Sequence, residues 1–150
     1  MEVYGIGSSA PIAMDAYYRF LRIGLKISLL LDPHMQVVSA AQLQKGDVAL
    51  AISHTGRSHE TLSAAQKAKA AGATVISLSS FMQSPLALLA DISLVTATAE
   101  NAFRVEAMAS RIAHLSVIDS LYVALAIRRF DEASGWLEQS SSLIEEKYQS

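Results

Sequence analysis

"VALAISHTGRSHETLSAAQKAKAAGATVISLS", residues 48–79, decides how this chain folds. An apolar run over 48–53 breaks into Ser53, His54, Thr55, Gly56, Arg57 and Ser58. An Ala-rich helical pattern follows over 58–72 and stops at Gly72. A second strand pattern occupies 74–79. A strand with no polar alternation is what a parallel sheet requires when helices cover both of its faces. The stretch therefore predicts a strand, a crossover helix and a second parallel strand, with a polar loop where the first strand ends.

The same alternation extends in both directions. Toward the N-terminus, "EVYGIG" (2–7) predicts a strand and "PIAMDAYYRFLRIG" (11–24) a helix. Pro11 suits a first helical turn there, and Gly24 suits a C-cap. "KISLLL" (26–31) predicts a strand, and a short helix follows over 34–43. Toward the C-terminus, a short helix over 84–90 precedes a strand over 91–97. A long helix is expected over about 104–129, with Ile112, Leu115, Ile118, Tyr122 and Leu125 at three- and four-residue spacing. Val117, Leu121 and Ala124 add a second apolar side, which predicts burial around much of its circumference. A final amphipathic helix is expected over 131–146. The fold class is α/β, an open, doubly wound sheet of five parallel strands in a three-layer αβα sandwich. One domain fills residues 1–150, with its core at about 3–129.

Composition narrows the function classes. The 150 residues are 51% hydrophobic and only 17% charged, more apolar than an ordinary soluble domain. No uninterrupted apolar run reaches the length of a membrane span. The excess fits a large interface, and a homodimer or higher homo-oligomer is expected. A net charge of −2 argues against nucleic-acid binding by this segment itself. The absence of cysteine excludes disulfides and thiolate metal sites and fits a reducing cytoplasm. Four scattered histidines make no metal-binding pattern, so neither a metal nor a cofactor is expected.

Ligands of open α/β sheets bind outside the carboxyl ends of the strands. Two loops fall on that edge. "GIGSSAP" (5–11) offers Gly5 and Gly7 for tight backbone and Ser8 and Ser9 for hydroxyls. "SHTGRS" (53–58) offers Ser53, Thr55 and Ser58, with Arg57 as a charge-assisted fork. Each leads into a helix start, whose unpaired N–H groups and positive dipole end favour an anion. Two alternatives accompany this reading. Serine and threonine at helix starts are also ordinary N-caps, Ser58 with Glu60 or Thr61 among them. Residues 5–10 also fit the dinucleotide fingerprint G-x-G-x-x-A, with Asp32 placed where a ribose-binding acid belongs.

At these loops the sequence resembles the SIS (sugar isomerase) domain, a flavodoxin-like phosphosugar-binding module. It is closest to the effector domain of RpiR-type bacterial transcription regulators. The matching motifs, in order, are "GIGSSAPIAMDAYYRFLRIG", "DPHMQVVSAAQLQKGDVALAISHTGRSHET", "AKAAGATVISLSS", "SPLALLAD" and "SRIAHLSVIDSL". The resemblance implies that Gly7, Ser8, Ser9, Ser53, Thr55, Gly56 and Ser58 grip a sugar phosphate. Arg57, His34 and Glu100 are further candidates. It also implies a dimer, and a DNA-binding helix-turn-helix domain ahead of residue 1. The strand beginning at Val3 with no lead-in suggests the same, as though Met1 and Glu2 were the cut end of a longer chain. DNA contact would then run only through that missing domain.

Reaction chemistry is less legible than binding. Aldose–ketose isomerisation needs a positioned base, and His34, His54, His59, Glu100 and Glu106 are the candidates. His54 is expected to point away from the phosphate and His59 to lie in solvent. His114, Arg111 and Asp119 are expected in structural ion pairs. The expectation is a regulatory, non-enzymatic domain, with a free-standing sugar-phosphate isomerase as the alternative.

Overall fold

The computed structural model describes residues 1–97, 108–146 and 148. Five strands alternate with helices: β1 (Glu2–Tyr4), α1 (Ala10–Arg22), β2 (Ser28–Leu30), α2 (Pro33–Ala40), β3 (Val48–Ile52), α3 (His59–Ala70), β4 (Thr74–Ser79), α4 (Pro85–Leu89) and β5 (Ile92–Val95). Helices α5 (Met108–Arg128) and α6 (Phe130–Glu146) complete the chain. Every strand pairing is parallel, in the order β2-β1-β3-β4-β5. The expected three-layer sandwich is the observed one. Glu100 and Glu106 lie outside the described residues, as does the expected helix start near residue 104.

The central strands sort their side chains by parity. Val3, Leu50, Ile52 and Leu78 pack with Ile12, Phe20 and Ile23 of the α1 segment and with Ile118 of α5. Tyr4, Ala49, Ala51 and Val75 face the other layer and meet Ala64, Ala65 and Ala68 of α3. Alanine against alanine lets α3 lie close on the sheet. That packing brings its first turn directly to the end of β3.

Strand β1 is shorter than its apolar pattern predicts, because Gly5 is already pressed against the next helix. A Cβ at Gly5 would lie 3.0 Å from the Ser9 carbonyl oxygen and 3.2 Å from Ala13 Cβ. Helix α1 ends as expected, with Gly24 in the left-handed region at φ 77°. The carboxylate of Glu2 is buried and accepts hydrogen bonds from the Tyr4 and Ser39 hydroxyls.

Helix α5 departs from expectation. Ser110, His114 and Ile118 are buried, whereas Ile112, Val123 and Ile127 are 69%, 50% and 68% exposed. A single chain covers only one side of this helix, so the predicted all-round burial does not occur within it. By length and composition alone, Ala109–Arg128 is also apolar enough to cross a membrane. Its packing on α1 and its buried His114 and Ile118 make it a wall of the sandwich.

Candidate functional site

The order β2-β1-β3-β4-β5 places the reversal of strand order between β1 and β3. Neighbouring strands run about 4.8 Å apart, and Tyr4 pairs with Ala51 one residue before β3 ends. The loops after β1 and β3 therefore leave the sheet side by side, at the crevice where doubly wound folds bind ligands. Both serine-rich loops of the sequence meet there.

The first loop forms a 3-10 turn, Gly7–Ser9, before α1. Gly7 takes φ 53° in open surroundings, so it is required for backbone conformation rather than space. Ser8 is exposed and Ser9 buried. No side chain caps the start of α1, and no acidic residue lies in its first turn.

The second loop is tighter. Ser53 continues the ladder by donating its N–H to Leu78 O at 3.0 Å, and Gly56 N–H closes a turn on Ser53 O at 3.0 Å. Gly56 adopts φ 62°, and a Cβ there would come within 2.2 Å of Ser84 Oγ. Both its conformation and its space demand glycine. The hydroxyls of Ser53 and Ser58 lie 3.0 Å apart. One of them spends its proton on the other, which leaves one proton in the pair for an incoming oxygen. Thr55 Oγ1 accepts from Arg57 N–H at 3.2 Å and keeps its own proton to donate. Arg57 sits exposed on the rim.

Ser58 occupies the N-cap of α3, yet its side chain caps no N–H. Its hydroxyl is turned to Ser53 instead. Thr61 Oγ1 is buried with no protein partner among the described residues, so it completes no capping box. The ordinary-cap alternative therefore fails at Ser58. Donors and the positive end of α3 face the loop, an arrangement suited to a phosphate.

Asp32, by contrast, is a working cap. Its Oδ1 accepts from His34 N–H at 2.9 Å and Met35 N–H at 3.0 Å. These backbone donors, Met35 first, hold its carboxyl below the ordinary aspartate range. A carboxylate committed to α2 is poorly placed to bind ribose, and the dinucleotide alternative loses its acid.

The histidines separate. The His34 side chain is 95% exposed at the start of α2, 3.7 Å from Asp32. It lines a groove with His59, Glu60 and Val38 beside the second loop. His59 is exposed as expected. The His54 ring reaches Ser80, with Nδ1 and Oγ 3.0 Å apart. Asp119 pairs with Arg19 of α1 at 3.0 Å. His114 is buried at the sheet edge and lies 3.3 Å from the Ser80 hydroxyl. Nothing in the local sequence signals that His54 and His114 meet.

Known proteins share the sequence and the fold of this chain. An uncharacterized HTH-type transcriptional regulator, TTE0211 of Caldanaerobacter subterraneus, is 44% identical over 144 residues, covering 96% of this chain and 51% of its own length. This chain thus spans about half the length of that relative. The NanR protein of Vibrio vulnificus, solved with ManNAc-6P, superposes with a TM-score of 0.88 at 29% identity, over 95% of this chain and 54% of NanR. The sugar isomerase domain of an RpiR transcription factor from Sphaerobacter thermophilus shares the fold, with a TM-score of 0.80 at 23% identity, over 94% of this chain and 77% of that one. The SIS domain model matches residues 1–124, spanning both hydroxyl-bearing loops and all five strands, and the chain belongs to the SIS domain family.

Proposed function

We propose that this chain is the sugar-phosphate-sensing domain of a bacterial transcription regulator of the RpiR type, acting in the cytoplasm. The phosphate is held by Ser8, Ser9, Ser53, Thr55 and Ser58, with backbone from Gly7 and Gly56. Arg57 and His34 serve the rim, and Glu100 binds sugar hydroxyls. The observation that carries this reading is the pair of uncapped, hydroxyl-lined helix starts at the β1/β3 crevice. The resemblance to NanR, solved with a sugar phosphate, and to a helix-turn-helix regulator supports it. DNA is contacted by a helix-turn-helix domain of the longer protein. A second copy of this domain covers Ile112, Val123 and Ile127 of α5, which explains the apolar excess.

The test is thermal unfolding against a panel of ManNAc-6P, pentose phosphates and sugar-acid phosphates, with parent sugars and inorganic phosphate as controls. A ligand at about 100 times its dissociation constant stabilises the fold by roughly 2.7 kcal/mol. Equal stabilisation by phosphorylated and parent sugars refutes the reading. The same panel, assayed for aldose–ketose turnover, distinguishes a sensor from an isomerase, and no turnover is expected.

A further inference from the structure

A hydrogen-bond chain beside the phosphate loop is not used by the reading above. Ser80 Oγ, just past β4, lies 3.0 Å from His54 Nδ1, 3.1 Å from Thr96 Oγ1 and 3.3 Å from His114 Nε2. The four residues come from the loop after β3, the end of β4, the end of β5 and helix α5. Backbone bonds hold them in register: Ser80 N–H donates to His54 O at 2.9 Å, and Thr96 N–H donates to Ser79 O at 3.0 Å. Thr96 and His114 are buried, so these bonds are not readily exchanged for water.

The chemistry of the centre is restrictive. A serine hydroxyl carries one proton and accepts two hydrogen bonds. With three partners, Ser80 donates to one and must receive from the other two. A ring nitrogen either carries a proton or accepts one. His54 Nδ1 and His114 Nε2 therefore cannot both face Ser80 as bare acceptors. The state of the loop histidine limits the state of the helix histidine, although the two are far apart in sequence.

We propose that the Ser80 hydroxyl is a one-proton relay linking the hydrogen-bonding state of His54 in the phosphate loop to that of His114 on α5. This rests on the phosphosugar reading for its input. A phosphate held by Ser53, Thr55 and Ser58 draws on the hydrogen bonds of the loop that carries His54, and so changes what His54 Nδ1 presents to Ser80. When His54 donates from Nδ1, the Ser80 proton turns away, toward His114 or Thr96. At His114 the change reaches the helix whose outer face carries Ile112, Val123 and Ile127. An anion at one edge of the sheet is thereby reported to the surface that the second copy covers.

The experiment is long-range imidazole proton–nitrogen NMR on the 15N-labelled chain, as wild type, Ser80→Ala and His54→Phe. Spectra are recorded alone, with inorganic phosphate and with ManNAc-6P. Without ligand, at most one of the two histidines is expected to present a bare nitrogen to Ser80, and both variants are expected to change which His114 nitrogen carries the proton. With ligand, the nitrogens of His54 and His114 are expected to shift together in the wild type, and those of His54 alone in Ser80→Ala. His54→Phe keeps an aromatic ring beside Phe81, 5.7 Å away in the wild type, and carries the test if Ser80→Ala does not fold. An unchanged His114 pattern in both variants overturns the relay. So does a silent His114 when ligand visibly shifts the loop, an outcome that leaves the phosphosugar reading intact. If neither probe shifts any loop resonance, the ligand-free variant spectra still decide the relay.

Discussion

The starts of α1 and α3 differ from those of α2 and α4, and the difference marks the site. Helix α2 is capped by Asp32, and α4 by Ser84, whose Oγ accepts from Ala87 N–H at 3.3 Å. Ser9 and Ser58 hold the corresponding positions of α1 and α3, and neither caps its helix with its side chain. Serine is thus present at three of these four starts but caps only α4. The same residue type caps its helix at α4 and leaves its helix uncapped at α3. Residue identity does not separate the two roles; the position of the hydroxyl does.

The largest expected effect comes from breaking this contrast on the ligand side. Replacing Ser53 and Ser58 together by alanine removes the one proton this pair can donate to a charged phosphate, a hydrogen bond worth about 1.5–3 kcal/mol. Calorimetric titration should show affinity for the responsive sugar phosphate falling roughly ten- to a hundredfold, at about 1.4 kcal/mol per decade. The melting temperature of the unliganded protein should barely move. If the double variant instead melts as a cap deletion does, Ser58 is a structural cap and the contrast collapses.

Gly56→Ala comes next. A left-handed alanine costs about 1–2 kcal/mol, and the overlap with Ser84 adds a similar amount. A loss of about 3 kcal/mol in urea unfolding is expected. Wild-type stability would mean that the loop relaxes away from α4.

Ser84→Ala tests the capped side. It should cost about 1 kcal/mol of stability, and titration should find ligand affinity unchanged. A large loss of affinity would show that the cap of α4 also shapes the loop.

The smallest effect concerns acid. Backbone N–H donors lower the folded carboxyl of Asp32, and the Val75 N–H, followed by the Lys69 ammonium, lowers that of Asp91. A depressed carboxylate stabilises fully above its unfolded value and loses that contribution as pH falls through the folded one. Melting profiles of the wild type and Asp91→Asn should therefore converge as the pH drops below the ordinary carboxylate range. A constant gap across that range would assign the effect to packing.

Much of this was legible in residue order. Apolar runs at 48–53 and 74–79 could be buried on both faces only in a helix-covered parallel sheet. The two serine-rich loops followed because each stands between a strand and a helix. Less legible were features created by approach in space. The apolar pattern of α5 predicted burial, but periodicity does not say which surface lies within one chain and which awaits another. His54 was expected to turn from the phosphate, yet its partner Ser80 lay just past β4 with no local signal. Asp32 matched a ribose-binding position by spacing and proved to be a cap, because the choice depends on where the next two N–H groups point.

By itself, then, the sequence determined the alternation of strands and helices, the two hydroxyl-bearing loops and the glycines that let them turn. Periodicity and φ preference are properties of neighbouring residues, and neighbours are what a sequence records. Only the tertiary structure decided that β1 and β3 lie side by side, that Ser58 faces Ser53 rather than its own helix, and that His54 and His114 both reach the Ser80 hydroxyl. Those outcomes depend on which distant segments meet, and hydroxyls and imidazoles take their roles from the partner placed within about 3 Å of them.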